Sequence, residues 1–96
     1  MRRALILILL AACARREAAV PGDPDRGKQL ISQYGCTACH NIPGVKGPRG
    51  MVGPSLDHMA SRTYIAGKFQ NDVPNMTRWL QNPQSMDPTN AMQISV

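Results

Sequence analysis

With 96 residues, 43% of them hydrophobic but only 4% aromatic, the chain has room for one small domain and no second one. Such a core is thin, and small domains of this kind need a staple beyond apolar packing. The net charge of +5 comes from Lys and Arg residues scattered singly, with no basic run interleaved with aromatics, which argues against nucleic-acid binding.

Residues 1–12 carry the marks of an export signal: Met1-Arg2-Arg3 is a basic start and Ala4 to Ala12 an apolar run. As a helix that run spans about 13 Å against roughly 30 Å for a bilayer core, so no transmembrane anchor is expected from it. Leu10-Ala11-Ala12-Cys13 ends it in the pattern of a bacterial lipobox, which predicts a lipid on Cys13 as a membrane attachment. The competing reading is an ordinary signal peptide cleaved a few residues later. Both predict export, to the bacterial periplasm. Removing residues 1–12 takes Arg2 and Arg3 with it and lowers the charge from +5 to +3, a balance suited to docking on an acidic redox partner or an anionic headgroup. Residues 13–22 are small and charged, end in Pro21-Gly22, and read as a tether.

A domain is expected over residues 23–96. Asp23-Pro24 supplies an N-cap and a first-turn proline, and the helix is predicted to run to Tyr34 with Gly35 as its stop. Leu30, Ile31 and Tyr34 form its apolar face. Gly27 lies two turns below Tyr34 on nearly the same side, where a glycine costs helix stability unless another backbone must come close.

Cys36-Thr37-Ala38-Cys39-His40 follows. Two thiols three residues apart fall on one face of a helical turn, where each can add to one vinyl group of a haem. One residue further the side chain is turned by about 100°, which can bring an imidazole nitrogen beneath the iron. The motif therefore predicts one covalently attached c-type haem per chain. A redox dithiol and a zinc site are the competing readings. The first lacks its usual βαβ setting, and the second would need Cys36, Cys39, His40 and His58 around one tetrahedral ion, which adjacent Cys39 and His40 are poorly placed to reach together.

At these residues the chain resembles the class I cytochrome c family, from about Asp23 to Met92. The resemblance covers Gly27 and Tyr34, the Cys36 to His40 motif, Gly53-Pro54-Ser55-Leu56, Arg62, Trp79, Asn82-Pro83 and Met92. It also looks like the cytochrome domain fused to some terminal oxidase subunits, although no copper-binding domain precedes it here. The resemblance implies an all-α fold, a small helical domain wrapped around haem c. It implies that the Pro54 carbonyl accepts a hydrogen bond from the axial His40, that Arg62 neutralises a haem propionate, that Trp79 serves a propionate through its indole N–H, and that Met92 is the second axial ligand. It further implies a C-terminal helix crossing the first helix at Gly27.

Residues 41–55 hold four Gly and three Pro and read as loop, with Lys46 and Arg49 on its surface. Leu56 to Ser61 is predicted as a short helix capped by Ser55 or Asp57, with Leu56, Met59 and Ala60 inward and His58 facing solvent. Asn71 to Pro74 reads as a turn, after which Asn75 caps a helix over Met76, Trp79 and Leu80 to about Gln81. Those three fall at i, i+3 and i+4, the pattern of a core face. Asn82-Pro83 ends that helix, and Gln84 to Ala91 reads as a polar loop leading to Met92. Met86 in the same loop is the competing ligand, while Met51, Met59 and Met76 read as packing residues.

After Met92 come only Gln93-Ile94-Ser95-Val96. Four residues make about one turn, too few for an independent helix. The expectation is therefore a cytochrome domain incomplete at its C-terminus: a truncated or frame-shifted product, or one whose exposed face a partner covers. Function is read as electron transfer and not enzyme catalysis: a periplasmic carrier with His40 and Met92 on the iron, feeding a respiratory terminal oxidase or a similar complex, with no small-molecule substrate. The alternatives are an open-coordination haem that binds small gases or shows weak peroxidase activity, and a remnant without function.

Overall fold

The structure, a computed structural model, describes residues 22–94. The export signal, Cys13, all of the tether but Gly22, and residues 95–96 lie outside the described residues. In chain order the elements are α1 (Pro24–Gln33), a 3₁₀ turn at Cys36–Ala38, a second at Met59–Ser61, strands β1 (Tyr64–Ile65) and β2 (Phe69–Gln70), and helices α2 (Val73–Gln81) and α3 (Pro83–Met86).

Helix α1 begins as its sequence predicts. Asp23 is extended and its carboxylate accepts from the Arg26 amide at 3.1 Å, while Pro24 occupies the first turn, where a missing N–H costs nothing. The helix closes at Gln33, one residue short of the predicted end, with the Tyr34 amide donating to the Leu30 carbonyl at 2.8 Å. Its apolar face is only partly covered: Tyr34 is 49% exposed. A methyl group added at Gly27 would meet no atom within 4 Å, so among the described residues no backbone makes the close approach inferred for it.

Residues 56–61 are less helical than predicted. His58 sits in the left-handed region at φ 54°, and only Met59–Ser61 forms a helical, 3₁₀ turn, with the Ser61 hydroxyl donating to the His58 carbonyl at 2.9 Å. Ser55 and Asp57 hydrogen-bond to each other at 2.9 Å and cap no helix.

An antiparallel hairpin follows that the sequence reading left unassigned, and it departs from the all-α expectation. Ile65 pairs with Phe69 and Tyr64 with Gln70. The turn between them has positive φ at Ala66 (52°) and Gly67, as tight hairpin turns favour, and the Lys68 amide donates to the Ile65 carbonyl at 3.0 Å.

Helix α2 starts at Val73, inside the predicted turn. Asp72, not Asn75, is its cap, accepting from the Asn75 amide at 2.8 Å, because Pro74 belongs to the first helical turn and does not exclude the helix. Asn75 instead donates from its side chain to the Gln70 carbonyl at 2.9 Å, locking helix to hairpin. Asn82 ends α2 and caps α3, a single turn where a loop was expected, by accepting from the Ser85 amide at 3.3 Å.

The polypeptide buries little apolar surface of its own. Among the described residues Ile65 is the buried hydrophobic side chain at 1% exposure, with Pro83 enclosed and Thr37 the buried polar one. Side-chain bonds to backbone carry much of the cohesion instead. Asn71 donates to the Met59 and Arg62 carbonyls, both at 2.8 Å, and its own amide reaches the Thr63 carbonyl at 2.9 Å. Lys68 pairs with Asp87 at 2.7 Å, joining the hairpin turn to the segment after α3.

Candidate haem-attachment site

The motif lies on the 3₁₀ turn Cys36–Ala38, not on an α-helical one. Gly35 precedes it at φ 73°, and the amides of Cys39 and His40 both donate to the Cys36 carbonyl, at 3.3 and 3.0 Å. In such a turn residues three apart nearly eclipse, so the two cysteines align along one side. Both thiols are free; Cys36 is half-buried and Cys39 exposed.

The loop after the motif folds back over it. The Gly50 amide donates to the Thr37 carbonyl at 3.0 Å, Gly53 to Cys39 at 2.7 Å, and Leu56 to Asn41 at 2.9 Å. These bonds carry the Pro54 carbonyl to 2.7 Å from Nδ1 of His40. A carbonyl oxygen has no proton to give, so Nδ1–H is the donor. In the neutral ring the lone pair is then on Nε2, the nitrogen left free to bind a metal.

Two glycines are fixed by how near this loop comes. A methyl group at Gly50 would lie 2.5 Å from the carbonyl carbons of Ala38 and Cys39, and one at Gly53 would lie 2.7 Å from Nδ1 and 2.9 Å from Nε2 of His40. Gly50 is a site residue that the sequence places only in a loop. Its signal was a glycine recurring every third residue from 44 to 53, a pattern equally common in ordinary turns.

Arg62 is exposed, and its Nη2 donates to the carbonyls of Ser55 at 2.8 Å and Asp57 at 2.7 Å. It thereby braces the residues just after Pro54. Trp79 on α2 is half-buried against Phe69, with ring centroids 6.0 Å apart and planes inclined by 43°. Met51, grouped with the packing residues, is 93% exposed, whereas Met59, Met76 and Met86 are half-buried.

Met92 is half-buried beyond α3, and its hydrogen-bond partners all lie within residues 84–90. Its amide donates to Oδ1 of Asn90 at 2.7 Å, and its carbonyl accepts from Nε2 of Gln84. Cys36, Cys39, His40 and Pro54 thus form one contiguous group, and Arg62 joins it through Ser55. Trp79 and Met92 belong to the part built from the hairpin, α2 and α3.

The donor set fits a covalently held haem: two free thiols aligned by one turn, an adjacent imidazole whose Nε2 is available, and a thioether as a candidate partner ligand. It fits a tetrahedral metal site poorly, since among the described residues no three His, Cys, Asp or Glu side chains are grouped to hold an ion. Among the described residues, too, no helix is long and apolar enough to cross a membrane.

These features define a class, the proteins that pair a Cys-x-x-Cys-His turn with a proline-oriented imidazole. The chain is similar to cytochrome c oxidase subunit 2 of Alkalihalophilus pseudofirmus, 31% identical over 68 residues, covering 71% of this chain and 19% of that protein. It is also similar to cytochrome c oxidase subunit 2 of Bacillus subtilis, 30% identical over 69 residues (70% and 19%), and of Bacillus sp. strain PS3, 32% over 66 residues (67% and 18%). The chain spans about a fifth of the length of these relatives. No protein-family model matches it, and no solved structure does.

Two expectations change with these findings. The similarity found is to an oxidase subunit, and no class I cytochrome c is among the relatives that carry it. The expectation of an electron carrier that is not an enzyme does not stand, because the relatives are named as subunits of an oxidase, an enzyme complex.

Proposed function

We propose that this chain is the haem-c-bearing electron-transfer part of a respiratory oxidase assembly, a small cytochrome c-like domain that holds its haem through Cys36 and Cys39 and ligates the iron through His40 and Met92. When bound, the haem supplies a one-electron couple between ferrous and ferric iron. The observation that carries the reading is the 2.7 Å bond from Nδ1–H of His40 to the Pro54 carbonyl, directly beside a turn with two free thiols. Similarity to three oxidase subunits supports the choice of partner.

Each residue has a physical task in this reading. The Pro54 carbonyl fixes the His40 ring in one tautomer and one orientation and raises the donor strength of Nε2. The glycines at 50 and 53 let the loop lie close enough for that bond to form. Met92 offers a soft thioether, which favours ferrous iron and a relatively high potential. Held by both His40 and Met92, the iron would be kept from small molecules.

Export of the chain in a host that attaches c-type haem, followed by denaturing electrophoresis and peroxidase staining, tests the attachment. Covalent haem on the band supports the proposal. Colourless protein whose Cys36 and Cys39 both react with an alkylating probe refutes it.

A further inference from the structure

The segment from Asp87 to Ile94 has no helix or strand to fix it, yet both backbone polar groups of Met92 are held, and by side chains. Asn90 accepts from the Met92 amide at 2.7 Å, and Nε2 of Gln84 donates to the Met92 carbonyl and, at 3.3 Å, to the Asn90 carbonyl. Gln84 stands on α3, whose first turn Asn82 caps, and Asp87 is tied to Lys68 at 2.7 Å. The clamp is therefore anchored to the folded part of the chain at both its start and its middle.

We infer that Gln84 and Asn90 are positioning residues for Met92, gripping its backbone from two sides so that its thioether is presented as an axial ligand. The inference rests on the His40/Met92 reading above. The physical need is plain: methionine has three rotatable side-chain bonds, and a thioether on an unrestrained segment pays for its ordering each time it binds. Fixing φ and ψ at residue 92 removes the backbone share of that cost. Loss of one such hydrogen bond corresponds to a roughly 3- to 10-fold weaker hold.

The test uses haem-loaded protein and imidazole as a competing ligand, reading the ferric methionine-to-iron charge-transfer band. Gln84→Leu removes the donor and leaves an apolar side chain one atom shorter; Asn90→Ala removes the acceptor, and Asn90→Asp retains it. Gln84→Leu and Asn90→Ala are expected to lower the imidazole concentration that halves the band by about 3- to 10-fold each, with covalent haem content unchanged. Asn90→Asp is expected to stay near wild type. A purely structural role would lower the melting midpoint without moving the imidazole midpoint, and that result overturns the inference. Should Asn90→Ala fail to fold, Gln84→Leu decides. Wild-type protein without covalent haem, or with haem and no such band, sinks the His40/Met92 reading and the inference with it. A wild-type band with unmoved variants sinks the inference alone.

Discussion

Gly53→Ala tests the seat of the His40 ring. The added methyl carbon would stand 2.7 Å from Nδ1 and 2.9 Å from Nε2, against the 3.5–4.0 Å at which non-bonded carbon contacts are favourable. Something has to move by several tenths of an ångström. The ring cannot withdraw without lengthening its 2.7 Å bond to the Pro54 carbonyl, and the loop cannot lift without lengthening the 2.7 Å bond from the Gly53 amide to Cys39. Overpacking of this kind costs about 1–3 kcal/mol. For a domain of this size a loss near 2 kcal/mol lowers the melting midpoint by roughly 8–16 °C. Thermal melting of haem-loaded protein measures the loss, and the ¹⁵N shift of Nδ1 reports whether the ring still donates. A midpoint within about 2 °C of wild type, with Nδ1 unchanged, would refute the close approach of loop and ring.

Other outcomes follow from the same geometry. Gly27→Ala is expected to raise the midpoint, by about 0.5–1 kcal/mol of helix propensity, because nothing described lies within 4 Å of the new methyl; a fall would reveal a backbone packed there. Met92→Ala is expected to abolish the ferric methionine band while leaving the haem attached, and an unchanged spectrum removes Met92 from the ligand set. Asn71→Ala leaves the Met59 and Arg62 carbonyls without their shared donor and is expected to cost about 1–3 kcal/mol in chemical denaturation; a loss indistinguishable from zero contradicts its bridging role. The Asp87 carboxyl is lowered from 3.8 to about 2, first by its hydrogen bond from Lys68 and then by those from Thr89. A depressed carboxyl supports the fold above its ordinary value, so this support is present above 3.8 and fades as pH falls through about 2. Lys68→Ala is expected to flatten stability against pH in that window, and an identical slope in the variant would show that the pair does not contribute.

What could be read from sequence was local chemistry with a short reach. Asp23-Pro24 announced α1 through a cap and a tolerated proline, and Gly53-Pro54 pointed, through the family resemblance, to the carbonyl that meets His40. The misses share a cause. Asn71 to Pro74 reads as a turn, yet Pro74 is tolerated in the first turn of a helix, so the cap is Asp72 and not Asn75. The hairpin turn carries Ala66 where a glycine or asparagine would have signalled positive φ. His58 at φ 54° likewise broke a stretch whose apolar spacing looked helical. Gln84 and Asn90 were invisible because carboxamides that bond to backbone, six and eight residues on for Gln84 and two residues on for Asn90, leave no periodicity to detect. The assignment as a carrier apart from any enzyme failed for another reason: a motif specifies the group it binds and says nothing of the assembly around it.

The scarcity of enclosed apolar side chains has a calorimetric consequence. Heat capacity rises on unfolding with newly wetted nonpolar area and falls with newly wetted polar area. A polypeptide whose described residues bury chiefly Ile65 and Pro83, and which coheres through carboxamides and carbonyls, contributes a small increment of its own. Its free-energy curve against temperature is accordingly expected to bend little.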